Sequence, residues 1–156
     1  MRTVLRRLPV VRHRAPAIEP PGWAGPEGAK RVLIEEEDPE LRHAMGVALR
    51  RAGYRTAECG GPGHHHDGAC PLVAGTGCGT VDAADAVVQV LVTSDEPMHE
   101  VRAAITGHAP GLPVVVFAPR PAVDRRPDLV DGTVVHSGPL TRTGVVAAVT
   151  EAIGPP

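Results

Sequence analysis

Arg31–Tyr54 reads RVLIEEEDPELRHAMGVALRRAGY, and the fold follows from how this stretch divides. Val32-Leu33-Ile34 is a short branched apolar run suited to a buried strand, which we place at Arg31–Ile34. Three glutamates and Asp38 follow at once. Asp38 is a good N-cap, and Pro39 sits where a first helical residue can lack its N–H. Leu41, Ala44, Met45, Ala48, Leu49 and Ala52 then recur at helical spacing, which predicts one apolar stripe over Pro39–Ala52. Arg50 and Arg51 suit the negative end of the helix dipole, and Gly53 supplies the stop. A strand, an acidic turn and a capped helix make the start of an α/β unit. Its carboxylates lie at the carboxyl end of the first strand, the edge at which open α/β sheets bind ligands.

Working outward, Tyr54–Ala57 begins a second strand, and then the pattern fails. Residues 58–82 form a loop rich in cysteine, histidine, glycine and proline, where a second regular helix is not expected. Ala86–Val92 is a near-continuous apolar run suited to a central strand buried on both faces. Thr93, Ser94 and Asp95 offer caps for a helix opened by Pro97, with Met98, Val101, Ala104, Ile105 and His108 on one side. Pro113–Phe117 is a fourth strand that tolerates proline at its first residue. The prolines of APRPAVDRRPDLVD leave only a short or broken fourth helix. Thr133–His136 is a fifth strand, and Thr141 caps a last helix carrying Val145, Ala148, Val149, Ala152 and Ile153. Strands interleaved with helices in this way argue a parallel sheet covered on both faces.

Composition agrees. The chain has 156 residues and one aromatic of each kind, so its core must be aliphatic. A formal charge of −2 gives no drive toward nucleic acid or membrane. Three cysteines are too few and too odd for a disulfide framework, which points to a reducing cytoplasm. No apolar run approaches the ~20 residues of a membrane span, and there is no proper signal-peptide core. Residues 1–29, rich in Arg and Pro, are expected to form a mobile arm preceding a domain over 30–154.

In this order and spacing, VLIEEEDPELRHAMGVALRRAGY, PGLPVVVF and SGPLTRTGVVAAVTEAI resemble the receiver domain of bacterial response regulators. The resemblance implies a flavodoxin-like, doubly wound, five-stranded parallel sheet in the order 2-1-3-4-5, here with irregular second and fourth helices. It also implies a phosphorelay module of two-component signalling. Glu36 and Glu37 match the family's acidic pair, which helps hold Mg²⁺. The family's phospho-accepting aspartate matches Val90, or Gln89 if the register slips by one. Its switch hydroxyl matches Ala118, and its lysine matches Gly138, although Pro139 is kept. The nucleophile, the hydroxyl and the phosphate-reading cation are thus absent from the matched positions. Two glutamates alone are a poor octahedral oxygen site, so Mg²⁺ binding is expected to be weak or absent. Asp95 as a displaced acceptor is a poorer reading than Asp95 as a helix cap. Glu36 and Glu37 also read plainly as solvated carboxylates near a helix start.

Cys59, Cys70 and Cys78, with His64, His65 and His66 among them, leave three readings open. Thiolates plus His64 or His66 would suit Zn²⁺ or an iron–sulfur cluster, although no Cys-x-x-Cys pair exists. Two thiols could pair in a redox reaction. The cysteines could also be small buried residues under the sheet. The leading functional expectation is a degenerate, non-enzymatic receiver that acts by contact with a protein partner and is not phosphorylated. The alternative is a metal-binding or redox-sensing protein that uses the cysteine and histidine loop. An enzyme on this fold ranks lowest, because no phosphate-binding glycine loop follows the first strand and no nucleophile–base pair is evident.

Overall fold

The valine-rich runs pair side by side into one parallel sheet. In a computed structural model describing residues 22–62, 69–91, 96–130 and 132–156, the strands are β1 (Arg31–Glu35), β2 (Arg55–Cys59), β3 (Ala86–Val90), β4 (Val114–Phe117) and β5 (Val134–His136). Their order is β2-β1-β3-β4-β5, every pair parallel. The helices are α1 (Pro39–Arg51), α2 (Gly79–Asp82), α3 (Glu96–His108), α4 (Arg120–Arg125) and α5 (Arg142–Ile153). This is the flavodoxin-like arrangement expected from the sequence, with α2 cut to four residues and α4 to six.

Strand alternation divides the core between two faces. Val32, Ile34, Val88, Val90, Val115 and Phe117 face α1 and α5, meeting Met45, Leu49, Val145 and Val149. Leu33, Val87, Val114 and Val116 face the other way, onto Met98, Val101 and Ile105 of α3 and onto Leu72 and Val81. Fully burying each such side chain contributes roughly 1.5–3 kcal/mol, so aliphatic packing carries the fold with few aromatics. Tyr54 is one of those few. It is wholly buried, and its hydroxyl donates to Gly154 O at 2.8 Å and lies 2.9 Å from Thr150 Oγ1.

The helix caps form as the sequence indicates. Asp38 accepts from Glu40 N at 2.8 Å and Leu41 N at 3.0 Å, a cap worth about 1 kcal/mol. Thr141 Oγ1 accepts from Gly144 N at 3.0 Å. The suggested Thr93–Asp95 caps lie outside the described residues.

Several boundaries differ from expectation: α1 ends at Arg51 rather than Ala52, β4 starts at Val114 rather than Pro113, and β5 starts at Val134 rather than Thr133. β1 runs one residue further, taking in Glu35, because Gln89 opposite gives that carboxyl a partner. β2 starts after Tyr54 and reaches Cys59. β3 stops at Val90, although Leu91 is still buried and donates to Phe117 O at 2.8 Å. His108, placed by periodicity with the apolar side of α3, is exposed and bonds Asp82 at 2.7 Å.

The segment before β1 also touches the sheet. Ala24 and Thr56 exchange backbone hydrogen bonds of 2.8 and 2.7 Å, covering the open edge of β2. Trp23 packs against the α3-side core, with the Arg31 guanidinium 5.9 Å from its ring centroid.

Candidate functional site

In a parallel sheet all carboxyl ends lie on one edge, and the register fixes which residues meet there. Glu35 pairs with Gln89, Val90 with Phe117, and Phe117 with His136. One step further along, Glu36 comes beside Val90, and Ala118 follows Phe117. The β1–β2 ladder persists past its strand, since Glu36 N donates to Cys59 O at 3.1 Å. Ala118 N likewise donates to His136 O at 3.1 Å. Glu36, Val90, Ala118 and the loop bearing Gly138 therefore share this edge, whereas Asp95 lies outside the described residues.

The two matched glutamates behave differently. Glu36 is buried; its Oε1 accepts from Asp38 N at 2.9 Å, and its Oε2 has no partner among the described residues. Burial raises its carboxyl above the usual range, offset in part by the Asp38 N–H. Glu37 is exposed. The Arg42 guanidinium folds back over the turn and donates to the carbonyls of Glu36 and Glu37. Val90 and Ala118 are both buried, and Gly138 is exposed with nothing near its Cα. A hard divalent cation wants several oxygens, and among the described residues this edge offers the unpartnered Oε2 of buried Glu36, the exposed carboxylates of Glu37 and Asp38, and an aliphatic neighbour.

The polar chemistry of this edge sits one residue inward. Glu35 is only 3% exposed, and Gln89 Nε2 donates to its Oε2 at 2.6 Å. Burial pushes the Glu35 carboxyl from 4.5 up to about 7, opposed by that hydrogen bond. Grouping Glu35 with the acidic turn missed this pair. The available signal was Gln89, a polar residue inside an otherwise apolar strand that required a partner on a neighbouring strand.

On the same face, Glu35 borders a cavity of about 60 Å³ together with Cys59, Cys70 and Cys78. The three sequence-predicted cysteines thus come to one place. All three are free thiols. Burial pushes the Cys59 thiol up to about 11, and the nearby Glu35 carboxylate adds to the effect. Among the described residues no three His, Cys, Asp or Glu side chains are arranged to hold a metal ion. His64 and His66 lie outside the described residues.

Sheet order, helix placement and this carboxyl edge together define a flavodoxin-like fold of the receiver type. Solved structures with the same fold include a response regulator receiver protein from Sinorhizobium medicae, with a TM-score of 0.59 and 15% identity, covering 81% of this chain and 95% of that one. A receiver domain protein from Clostridium thermocellum gives 0.58 and 13%, over 80% and 94%. A pilus assembly protein from Burkholderia thailandensis gives 0.60 and 19%, over 79% and 97%. No protein-family model and no curated protein matches the sequence.

Proposed function

We propose that this chain is a receiver-like signalling module that works through contact with a protein partner and does not take up a phosphoryl group at the edge of its sheet. The observation that carries the reading is the register at the end of β3. Val90, aliphatic, lies one residue beyond the Glu35–Gln89 pair, and the resemblance assigns to Val90 the place where an acyl phosphate would need a carboxylate. Phosphoryl transfer also needs positive charge and hydrogen-bond donors set around the oxygens of the group in flight. The side chains at the neighbouring positions Ala118 and Gly138 supply neither. The receiver fold of the similar structures supports the signalling class. Without transfer chemistry, the module is not an enzyme. Its output is a surface, and α5, well capped and packed, is the best-formed element available for one. The net charge of −2 favours a protein partner over nucleic acid or an anionic membrane. No helix among the described residues is long and apolar enough to cross a membrane, which fits a cytoplasmic role.

The test is incubation of the full chain with acetyl phosphate or phosphoramidate and Mg²⁺, read by intact mass. The expected result is an unchanged mass. A phosphoryl adduct that maps to an aspartate overturns the proposal.

A further inference from the structure

All three cysteines of the chain border one cavity, although they come from three separate places: the end of β2, the start of the 70–76 turn, and the residue before α2. The cavity is also lined by Leu33, Val81, Val101 and Ile105, and has a volume of about 60 Å³. Within the cluster, the backbone singles out two of the thiols. Between Cys70 and Cys78 the chain folds back on itself. Pro71 O accepts from both Thr76 N and Thr76 Oγ1 at 2.9 Å, Cys70 O accepts from Ala74 N at 2.9 Å, and Leu72 O accepts from Gly75 N at 3.1 Å. Gly75 and Gly77, at φ +75° and +80°, allow this reversal, which side-chain-bearing residues would resist. Cys70 and Cys78 therefore flank a closed loop and open onto the same space. Cys59 differs: it belongs to a strand, and its carbonyl is held by Glu36 N at 3.1 Å.

We propose that Cys70 and Cys78 are a dithiol pair that a small oxidised disulfide of the glutathione type converts into an intramolecular disulfide, leaving Cys59 as a thiol. Cys78, the more exposed of the two, loses its proton to solvent and attacks one sulfur of the small disulfide. The small S–S bond breaks, one small thiol leaves, and a mixed disulfide remains on Cys78. Cys70 then gives up its proton and attacks the Cys78 sulfur, expelling the second small thiol. The protein loses two hydrogen atoms and the small disulfide is reduced to two thiols. The bridge closes on itself the 70–78 turn, part of the segment that stands in place of a full second helix. It is independent of the phosphorylation reading, because no residue of the β3 edge takes part.

The experiment treats the folded full chain with oxidised glutathione, quenches with acid, alkylates the remaining thiols under denaturing conditions, and maps the peptides by mass. The expected product is monomeric, lighter by two hydrogen atoms before alkylation, with Cys70 bonded to Cys78 and only Cys59 alkylated. Dithiothreitol restores the starting mass. Cys59→Ser should close in the same way, and Cys70→Ser should stop at the mixed disulfide on Cys78. A bridge that includes Cys59, a bridge between two copies, or three alkylated cysteines after treatment each overturns the proposal. The wild-type result stands without the variants, so a variant that fails to fold does not shelter it.

Discussion

Replacing Glu35 by Gln should remove a specific pH dependence from the stability of this protein. Glu35 is buried, bonded to Gln89 at 2.6 Å, and its carboxyl is raised from 4.5 to about 7. The folded state thus favours the protonated form more than the unfolded chain does. A protonated Glu35 also has a hydroxyl to offer Gln89 Oε1, which has no partner among the described residues. The stabilising contribution is complete below pH 4.5 and is lost as pH rises through 7. At about 1.4 kcal/mol per pKa unit, the loss comes to about 3 kcal/mol, a large share of the 5–15 kcal/mol typical of a domain. Gln has the same shape and never ionises. Urea unfolding of wild type and Glu35→Gln at pH 5, 6, 7 and 8 isolates the effect, because every other titrating group is common to both chains. The two should differ little at pH 5, and the variant should gain on wild type up to about 3 kcal/mol by pH 8. Parallel stability curves across this range would show that Glu35 does not carry its proton into the fold, and the reasoning would fail.

Other substitutions probe the framework and the edge. Tyr54→Phe removes the hydroxyl that donates to Gly154 O and leaves that carbonyl unpaired, which should cost roughly 1–2 kcal/mol in urea unfolding with little change in the denaturant slope. Val90→Asp places a third carboxylate beside Glu36. The unfolding free energy of this variant, read from urea curves, should rise with added Mg²⁺ by about 1.4 kcal/mol at ten times its Kd, while that of wild type stays fixed. An equal Mg²⁺ response in both proteins would mean that the wild-type edge already holds the ion, contrary to the donor set described.

Much of the fold was legible because its elements announce themselves locally. The 31–54 stretch carries its own strand, cap, apolar stripe and stop, and each forms within one residue of where the sequence puts it. The short α2 and α4 were legible for the opposite reason: glycine and proline deny those segments a regular helix. Cys59, Cys70 and Cys78 could be named from sequence, but not their convergence. Their meeting depends on how β2, α3 and the 70–76 turn stack, and the spacing between them carries no trace of it.

Glu35 was hidden by a different cause. In a strand, a shift of one residue moves a side chain to the opposite face of the sheet. Ending the strand at Ile34 left Glu35 in the acidic turn, whereas strand register assigns it to the α3 face beside Gln89 and the thiol-lined cavity. The same parity turns Val90 toward α1 and α5, away from that cavity. The two faces of one sheet edge therefore hold unlike chemistry. One carries the aliphatic Val90, and the other carries a carboxyl bonded to an amide and, lining one cavity with that carboxyl, three thiols. A substitution at residue 90 should consequently leave the reactivity of the cysteines unchanged, and one at residue 35 should not.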